Sequence, residues 1–283
     1  MSAESWKLME LVSWTTEFFK RHDVPSARLD AELLLAHVLD MKRMDLYLAF
    51  DQPVAEADRA RYRELVRRRA KERWPVAYLT GVREFWSMPF RVTPDVLIPR
   101  PETETLVQVV VDLKPRRIAE LGVGSGCVSA ALARELPDAE IVAIDCSPAA
   151  LDVARQNLAS LGFGDRVELV LASGLAGLAG PFDLVVSNPP YVQAGELDGL
   201  ALELRHEPRL ALDGGPDGLH AMRRLCAEAP ALLERSGHLA LEIGFGQGDA
   251  VQELLRAAGA ASVQIFPDLA GIPRVVLGRF PES

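Results

Sequence analysis

Residues 188–191 are the stretch of this chain whose residue types point most clearly to a chemical function. Asn188, Pro189, Pro190 and Tyr191 follow an apolar run, residues 182–187, that is typical of a buried parallel strand. Each proline fixes its own φ and has no N–H, so the turn is held extended and the Asn188 carboxamide and nearby carbonyls point outward. These acceptors suit a planar NH2 group. A proline-rich turn that merely ends a strand is the alternative, and the second proline and the tyrosine make it less favoured.

A glycine-rich turn upstream has the composition of a nucleotide-binding loop. Residues 117–121 predict a strand that runs into the glycines of residues 122–126 and then into an apolar helix. Glycines let the backbone approach a ligand, and the helix that follows offers N–H groups at its N-terminus. The dinucleotide fingerprint does not fit, because its third glycine would fall on Cys127 or Ser129. NAD is therefore disfavoured.

An acidic residue follows the loop at a suitable distance. Residues 140–144 predict a second strand that ends at Asp145, about 20 residues past the glycines, where such βαβ units place a ribose acceptor. The glycine-rich turn, Asp145 and Asn188 would thus each follow a strand. Because open α/β folds bind ligands at the carboxyl edge of the sheet, we expect all three to line one site.

With these residues the chain resembles the class I S-adenosylmethionine-dependent methyltransferases, and within them the HemK (PrmC) family of protein-glutamine N5-methyltransferases. The resemblance covers most of the chain and includes residues 98–104, 206–219 and 274–280. The family methylates the glutamine of the Gly-Gly-Gln motif in class I peptide-chain release factors, and a sister branch methylates a glutamine of a ribosomal protein. The resemblance implies the release factor as substrate.

The resemblance also implies roles for individual residues. Glu120 would face the ammonium group of S-adenosylmethionine, Asp145 would hold its ribose hydroxyls, and the glycines would lie along its methionine and ribose. Asn188 and the Pro189 carbonyl would bind the target amide nitrogen, and Tyr191 would wall the glutamine pocket. The cofactor-binding set is Glu120, Gly122, Val123, Gly124, Ser125, Gly126, Asp145, Ser173, Gly174 and Asn188, and the catalytic set is Asn188, Pro189, Pro190 and Tyr191.

One segment departs from the family pattern. After the third predicted strand, residues 166–171, the family usually has an Asp and a bulky residue that hold the adenine, whereas this chain has residues 172–175, Ala-Ser-Gly-Leu. Ser173 and Gly174 fall nearest those positions. A hydroxyl can still accept from the adenine amine, but the carboxylate is missing.

The target nitrogen constrains the chemistry, because an amide lone pair is delocalised into the carbonyl and is a poor nucleophile. A site can hold this nitrogen in line with the sulfonium methyl and accept hydrogen bonds that strengthen as positive charge develops on it. Asn188 suits that role. No strong base is visible, so we assign no general base and expect the proton to leave to water.

The hydrophobic period divides the chain into three parts. It is helical from about Ser5 to Trp74, which predicts a small N-terminal helical domain over residues 1–76, for substrate recognition. Residues 77–100 alternate apolar and polar side chains and predict a strand-pair linker. Strands and helices alternate over residues 101–283, which predicts the methyltransferase domain: an α/β fold with a doubly wound, seven-stranded, Rossmann-like sheet.

Composition agrees with an intracellular enzyme of 283 residues, 49% of them hydrophobic. Cys127, Cys146 and Cys226 form no close pair, so we expect neither a disulfide framework nor a metal site, and a reducing, cytoplasmic location. Buried packing is the expected role of Cys127 and Cys146. The N-terminus is unlike a signal peptide, and no apolar run is long enough to span a membrane. We expect a monomer.

The net charge of −9 argues against stable nucleic-acid binding along the surface. Residues 59–73 are the exception, with eight basic and two acidic side chains. A solvated helix face is the favoured interpretation of this basic run, and contact with a release factor or ribosomal RNA is the minor one.

Two other functions stay open at this point. Asn-Pro-Pro-Tyr also occurs in amino-directed DNA and RNA methyltransferases, because the adenine amine is another planar NH2 group. Such enzymes need base flipping and a basic substrate channel, for which this chain offers only the basic run. A non-catalytic nucleotide-binding module could use the same loop, but it would not need Asn188 and Tyr191.

Overall fold

The computed structural model describes residues 6–281, which divide into two compact units. One unit comprises the chain through Gly81 together with Ala201–His206, and the other comprises Val82–Leu200 and the chain from Glu207 onward. The beginning of the predicted helical domain, including Ser5, lies outside the described residues.

The first unit is helical. Its apolar side chains recur at helical spacing, and they pack into one core that includes Leu8, Phe19, Leu34 and Leu35. The helices are α1 (Leu8–Lys20), α2 (Ala27–Leu39), α3 (Asp45–Leu48), α4 (Glu56–Lys71) and α5 (Val76–Thr80).

The basic run forms most of α4, and it is not solvated along its whole length. The Arg69 side chain is only 6% exposed, and its guanidinium lies 2.6 Å from Asp30 and 2.7 Å from Glu203. Arg73 also reaches Glu203, at 2.7 Å. The expectation of a solvated face is therefore wrong for Arg69. A buried charge requires a partner, and here two carboxylates supply it.

The second unit begins with a strand pair and continues as an α/β domain. An antiparallel pair of short strands, β1 (Val82–Phe85) and β2 (Met88–Arg91), forms where the sequence predicts alternation. The 3₁₀ turn Pro101–Thr103 then opens the first helix of the domain, in agreement with the helix-start preference of proline. The remaining elements are α6 (Glu104–Leu113), β3 (Arg117–Leu121), α7 (Cys127–Glu135), β4 (Glu140–Asp145), α8 (Pro148–Ser160), β5 (Val167–Leu171), β6 (Phe182–Ser187), α9 (His220–Glu228), β7 (Leu233–Glu242), α10 (Gly248–Ala257), β8 (Ser262–Pro267) and β9 (Pro273–Arg279).

Seven strands form one sheet in the order β5-β4-β3-β6-β7-β9-β8. The pairs from β5 to β7 are parallel, and β9 is antiparallel to both of its neighbours. The central strand β6 is buried along almost its whole length, as a continuous apolar run predicts. The predicted doubly wound, seven-stranded α/β fold is confirmed.

Two apolar layers cover the two faces of this sheet. Successive residues of a strand point to opposite faces, so Leu184 joins a core with α6 and α7, while Val185 joins a core with α9 and α10. Within residues 6–281, no helix has the length and apolar composition needed to cross a membrane. The same residues contain no cluster of three or more potential metal-ligating side chains.

Candidate functional site

The ends of β3, β4 and β6 bring the predicted residues to one edge of the sheet. In the register of these strands, Leu121 lies opposite both Ile144 and Ser187. The residues that follow each strand are therefore neighbours, although they lie far apart in the sequence. They line a cavity of about 280 Å³ within the second unit.

Most of the predicted site residues line this cavity, and three do not. Gly126, Gly174 and Tyr191 are absent from its wall. The predicted residues that do line it are Glu120, Gly122, Val123, Gly124, Ser125, Asp145, Ser173, Asn188, Pro189 and Pro190.

The glycine-rich loop turns sharply against the neighbouring strands. Gly122 has a φ of +84°, which favours glycine, and a Cβ there would lie 3.9 Å from the backbone oxygen of Asn188. The N–H groups of Gly122 and Val123 both donate to the Ile144 carbonyl, at 2.8 and 3.0 Å. The loop is thus fixed between the ends of β4 and β6.

Two backbone N–H groups orient the carboxylate of Asp145. Gly124 N–H donates to Oδ2 and Ser147 N–H donates to Oδ1, each at 3.0 Å. Each oxygen keeps a lone pair for a further donor. A fixed carboxylate with free lone pairs is suited to accept from a ribose diol.

Glu120 is a buried carboxylate at the floor of the cavity. It is only 3% exposed, and burial raises the pKa of its carboxyl to about 8, with the nearby Asp145 charge adding to the increase. The Ser129 hydroxyl donates to it. Among residues 6–281, no salt bridge reaches Glu120. Its environment therefore favours a cationic group brought in by a ligand.

Asn188 is the first residue of the acceptor turn, residues 188–191, and its side chain is hydrogen-bonded. Its Nδ2 donates to Thr103 Oγ1 at 3.1 Å. The preceding residue, Ser187, donates through its hydroxyl to the Leu121 carbonyl at 2.7 Å. The turn is thus tied to both β3 and the start of α6.

Tyr191 does not line the cavity and packs against the core on the α9 and α10 face. The Gln247 side chain holds its backbone, because Nε2 donates to the Tyr191 carbonyl at 3.0 Å while Oε1 accepts from Gly244 N–H at 2.8 Å. Burial raises the pKa of the Tyr191 hydroxyl to about 12. The hydroxyl therefore stays protonated at neutral pH.

The segment that departs from the family pattern, residues 172–175, lies against the guanidinium of Arg224. Ser173 lines the cavity, but a Cβ on Gly174 would collide with the Arg224 guanidinium. Arg224 itself lines the cavity and pairs with Glu228 at 2.6 Å. Glu228 also accepts from Leu175 N–H at 2.9 Å. An arginine on α9 thus covers one of the two residues predicted to meet the adenine.

Several cavity residues were not singled out by sequence reasoning. Arg100 lines the cavity, and its guanidinium lies 2.6 Å from the buried carboxylate of Glu207. Glu207 also accepts from Ile98 N–H at 3.1 Å, so it joins two segments that carried the family resemblance. Those motif segments were the signal that could have pointed to Arg100. Other lining residues without a sequence assignment are Asp95, Thr103, Ser147, His220 and Arg224.

The three cysteines are unpaired. Cys127 follows the glycine loop, and burial raises the pKa of its thiol to about 12. The thiol therefore stays protonated at neutral pH and is a poor nucleophile. Cys146 is exposed, so the expected buried packing role is wrong for this residue. It follows Asp145 at the cavity rim, where the strand has already ended.

Two known domain families match the chain. Residues 10–81 match the PrmC N-terminal domain, and residues 101–214 match the Methyltransferase small domain.

Curated relatives match over nearly the whole chain. It is 46% identical over 260 residues to the release factor glutamine methyltransferase of Moorella thermoacetica, which covers 90% of this chain and 92% of the relative. It is 41% identical over 280 residues to the release factor glutamine methyltransferase of Geobacter sulfurreducens, which covers 98% of each.

Solved structures support the fold. The hMettl16 catalytic domain, in complex with MAT2A 3'UTR hairpin 6, matches with a TM-score of 0.58 at 16% identity and covers 80% of this chain and 82% of that one. A methyltransferase from Pyrococcus furiosus matches with a TM-score of 0.51 at 16% identity, over 80% of this chain and 100% of that one. At these identities the likeness concerns architecture alone.

Proposed function

The chain belongs to the release factor glutamine methyltransferase family, and on that premise we propose how its site methylates a release factor. The enzyme transfers a methyl group to the side-chain amide nitrogen of the glutamine in the Gly-Gly-Gln motif of class I peptide-chain release factors. The observation that carries the proposal is that the Asn188 carboxamide and the glycine loop line one and the same cavity.

S-adenosylmethionine is the proposed donor, and its sulfonium supplies an activated methyl group. The polar and charged groups that line the cavity fit this molecule. Glu120 is a buried carboxylate without a cationic partner among residues 6–281, which suits the ammonium group. Asp145 is oriented by two N–H groups and suits the ribose hydroxyls. Ser173 and the backbone of Gly174 remain the proposed contacts of the adenine.

The loop residues take part through their backbone. Gly122, Val123, Gly124, Ser125 and Gly126 form the turn at the end of β3, where the φ of +84° at Gly122 favours glycine. A Cβ at this position would be in ordinary van der Waals contact with the Asn188 carbonyl, so the backbone conformation rather than space favours glycine here.

The acceptor turn binds the glutamine. We assign Asn188 Oδ1 and the Pro189 carbonyl to the two hydrogens of the target NH2 group, so that the nitrogen is held in line for transfer. Pro190 keeps the turn extended, and Tyr191 remains the proposed wall of the glutamine pocket. As positive charge develops on the nitrogen, both hydrogen bonds strengthen. No general base is assigned, and the proton leaves to water.

The helical unit is proposed to recognise the release factor. A glutamine side chain is small and common, so selectivity for one Gly-Gly-Gln loop must come from surface remote from the reacting nitrogen. Residues 1–76 are the proposed recognition domain, residues 77–100 the linker and residues 101–283 the methyltransferase domain. The proposed enzyme acts in the cytoplasm as a monomer, without stable nucleic-acid or membrane binding.

Parallel methyl-transfer assays test the substrate assignment. Tritiated S-adenosylmethionine is supplied with a class I release factor, with ribosomal proteins, with DNA and with RNA. A release factor with Gly-Gly-Ala in place of Gly-Gly-Gln is the matched control. We expect label in the intact release factor alone. Label in ribosomal protein or in adenine would replace the proposal by the corresponding alternative, and label in none would favour a non-catalytic module.

A further inference from the structure

The carboxamide of Asn188 has two ends that are chemically opposite. Its oxygen accepts hydrogen bonds, whereas its nitrogen only donates them. The target glutamine NH2 group also donates. The proposed function therefore requires that Oδ1, rather than Nδ2, face the substrate, and some group must fix this orientation.

Thr103 lies on the nitrogen side of that carboxamide. Its Oγ1 accepts from Asn188 Nδ2 at 3.1 Å, although 85 residues separate the two in the sequence. Thr103 is also the N-cap of α6, yet its side chain makes no capping hydrogen bond. The hydroxyl is therefore not occupied with the helix.

Glu242 is a second neighbour of Thr103. It is the last residue of β7, and its neighbour Leu241 lies opposite Ser187 of β6, so the end of β7 lies next to the acceptor turn. The Thr103 hydroxyl is placed to donate to the Glu242 carboxylate, an interaction that opposes the rise in the pKa of that carboxyl. Glu242 is only 2% exposed, and its Oε2 has no hydrogen-bond donor in the part of the chain that the structure describes.

The two hydrogen bonds together select one orientation of the amide. A hydroxyl has a single proton, and here that proton is directed toward the ionised Glu242 carboxylate in a hydrogen bond. Thr103 Oγ1 can then offer only lone pairs to its other neighbour. A donor must face it, so Asn188 turns Nδ2 toward Thr103 and Oδ1 away from it.

We propose that Thr103 and Glu242 are positioning residues that fix the Asn188 carboxamide with Oδ1 toward the glutamine nitrogen. The proposal rests on the proposed function, because it presumes that Asn188 accepts from the substrate. It assigns a role to a buried carboxylate that the sequence motifs leave unexplained. Both act through Asn188 in this proposal, rather than on the transferred methyl group.

The protonation of Glu242 makes the orientation of the Asn188 carboxamide pH-dependent. Burial raises the pKa of this carboxyl to about 7, against the opposing effects of the Thr103 hydrogen bond and the Arg274 and Arg100 charges. The other charged or titratable groups that face it are Glu102, Tyr191 and Cys127. A protonated Glu242 can donate to Thr103 Oγ1. The Thr103 proton is then free to turn toward Asn188, which favours the reversed amide.

Substitutions of Thr103 test the proposed positioning of Asn188. Thr103→Val removes the hydroxyl and keeps the shape, while Thr103→Ser restores the hydroxyl and is the matched control. With full-length enzyme and intact release factor, we expect Thr103→Val to lower kcat roughly tenfold or more, since misorientation at a reacting centre is costly. The KM for S-adenosylmethionine should stay within about twofold, and Thr103→Ser should recover most of the lost kcat. An unchanged kcat in Thr103→Val would overturn the proposal.

A double-mutant cycle separates positioning from a structural role. If Thr103 acts only through Asn188, Thr103→Val should cost nothing further in an Asn188→Ala background. A full additional loss there would overturn the proposal and leave the proposed function intact. If Asn188→Ala itself kept normal turnover, the proposed function would fail instead. The two failures are thus distinguishable.

The pH profile of kcat provides a readout that does not depend on the Thr103 variants. At saturating substrates we expect the wild-type kcat to fall as the pH drops through about 7, as Glu242 becomes protonated. Glu242→Gln removes this titration and should flatten the acid limb. An acid limb that persists unchanged in Glu242→Gln would overturn the assignment of Glu242. Thermal unfolding of each variant shows whether it is folded under the assay conditions.

Discussion

The backbone N–H of Gly124 donates to Oδ2 of Asp145 at 3.0 Å, so the glycine loop and the end of β4 are joined by one hydrogen bond. The bond aligns the carboxylate before any ligand arrives. Preorganisation of this kind reduces the entropic cost of binding. Asp145 should therefore contribute to the affinity for the cofactor in the ground state and in the transition state alike.

Asp145→Ala should weaken S-adenosylmethionine binding by about 1.5–3 kcal/mol, the range of hydrogen bonds to a charged group. The effect should appear in KM for the cofactor, with a small change in kcat. Asp145→Asn keeps one oxygen acceptor and should lose less. Calorimetry measures both affinities, and equal affinity of wild type and Asp145→Ala would remove this residue from the site.

Glu120 should make cofactor binding release a proton. Burial raises the pKa of Glu120 to about 8, so most of it is protonated at pH 7, and an ammonium group beside it would favour the carboxylate. Affinity should thus rise with pH up to about 8 and then level off. Calorimetry at pH 7 in two buffers of different ionisation enthalpy gives the number of protons released. Glu120→Gln is the control, and the same proton release from this variant would contradict the assignment.

Asn188→Ala should remove most turnover and leave cofactor affinity nearly unchanged. Its hydrogen bond to the target nitrogen matters chiefly as charge develops, and loss of one such contact costs roughly 100-fold or more in rate. Single-turnover methylation of the release factor measures the rate, and calorimetry measures the affinity. Near-normal turnover at saturating substrate would be incompatible with the proposed acceptor role.

Ser173→Asp should tighten cofactor binding by restoring the carboxylate that the family usually has near the adenine amine. Ser173 lines the cavity, and Arg224 on the neighbouring wall would favour an added negative charge. A cofactor analogue with hydrogen in place of the adenine amine should gain much less. Equal gains for both ligands would show that position 173 does not face the amine, and the effect would then be assigned to Arg224.

The basic run should steer the release factor if it contacts this partner. Arg63 and Lys71 are exposed, whereas Arg69 is buried in ion pairs and is unsuited to this test. The double reversal Arg63→Glu with Lys71→Glu should lower kcat/KM for the release factor at low salt, and added salt should reduce the difference. Reversal of two exposed arginines in the other unit, Arg235 and Arg256, gives the same change in net charge and is the control. Equal rates for both double variants would support the solvated-face interpretation.

Local patterns in the sequence were sufficient to predict the elements of the methyltransferase domain. A strand buried on both faces, such as β6, requires a continuous apolar run, and a sharp turn such as Gly122 requires a residue that tolerates positive φ. Both requirements act on neighbouring residues, so they are visible in the sequence. The common edge of the strand ends also followed, because parallel strands place their carboxyl ends on one edge of the sheet. The glycine loop, Asp145 and Asn188 were therefore predicted as one site.

Contacts between distant segments were decided only by the tertiary structure. Glu242 lies next to the acceptor turn because β7 is paired with β6, and no local signal near residue 242 predicts that neighbour. The same holds for Arg224, which reaches Gly174 from α9, and for Arg69, whose charge is buried because Asp30 and Glu203 come from elsewhere in the chain. Burial and charge pairing depend on which surfaces meet, and this depends on the packing of whole elements rather than on the spacing of residues within one.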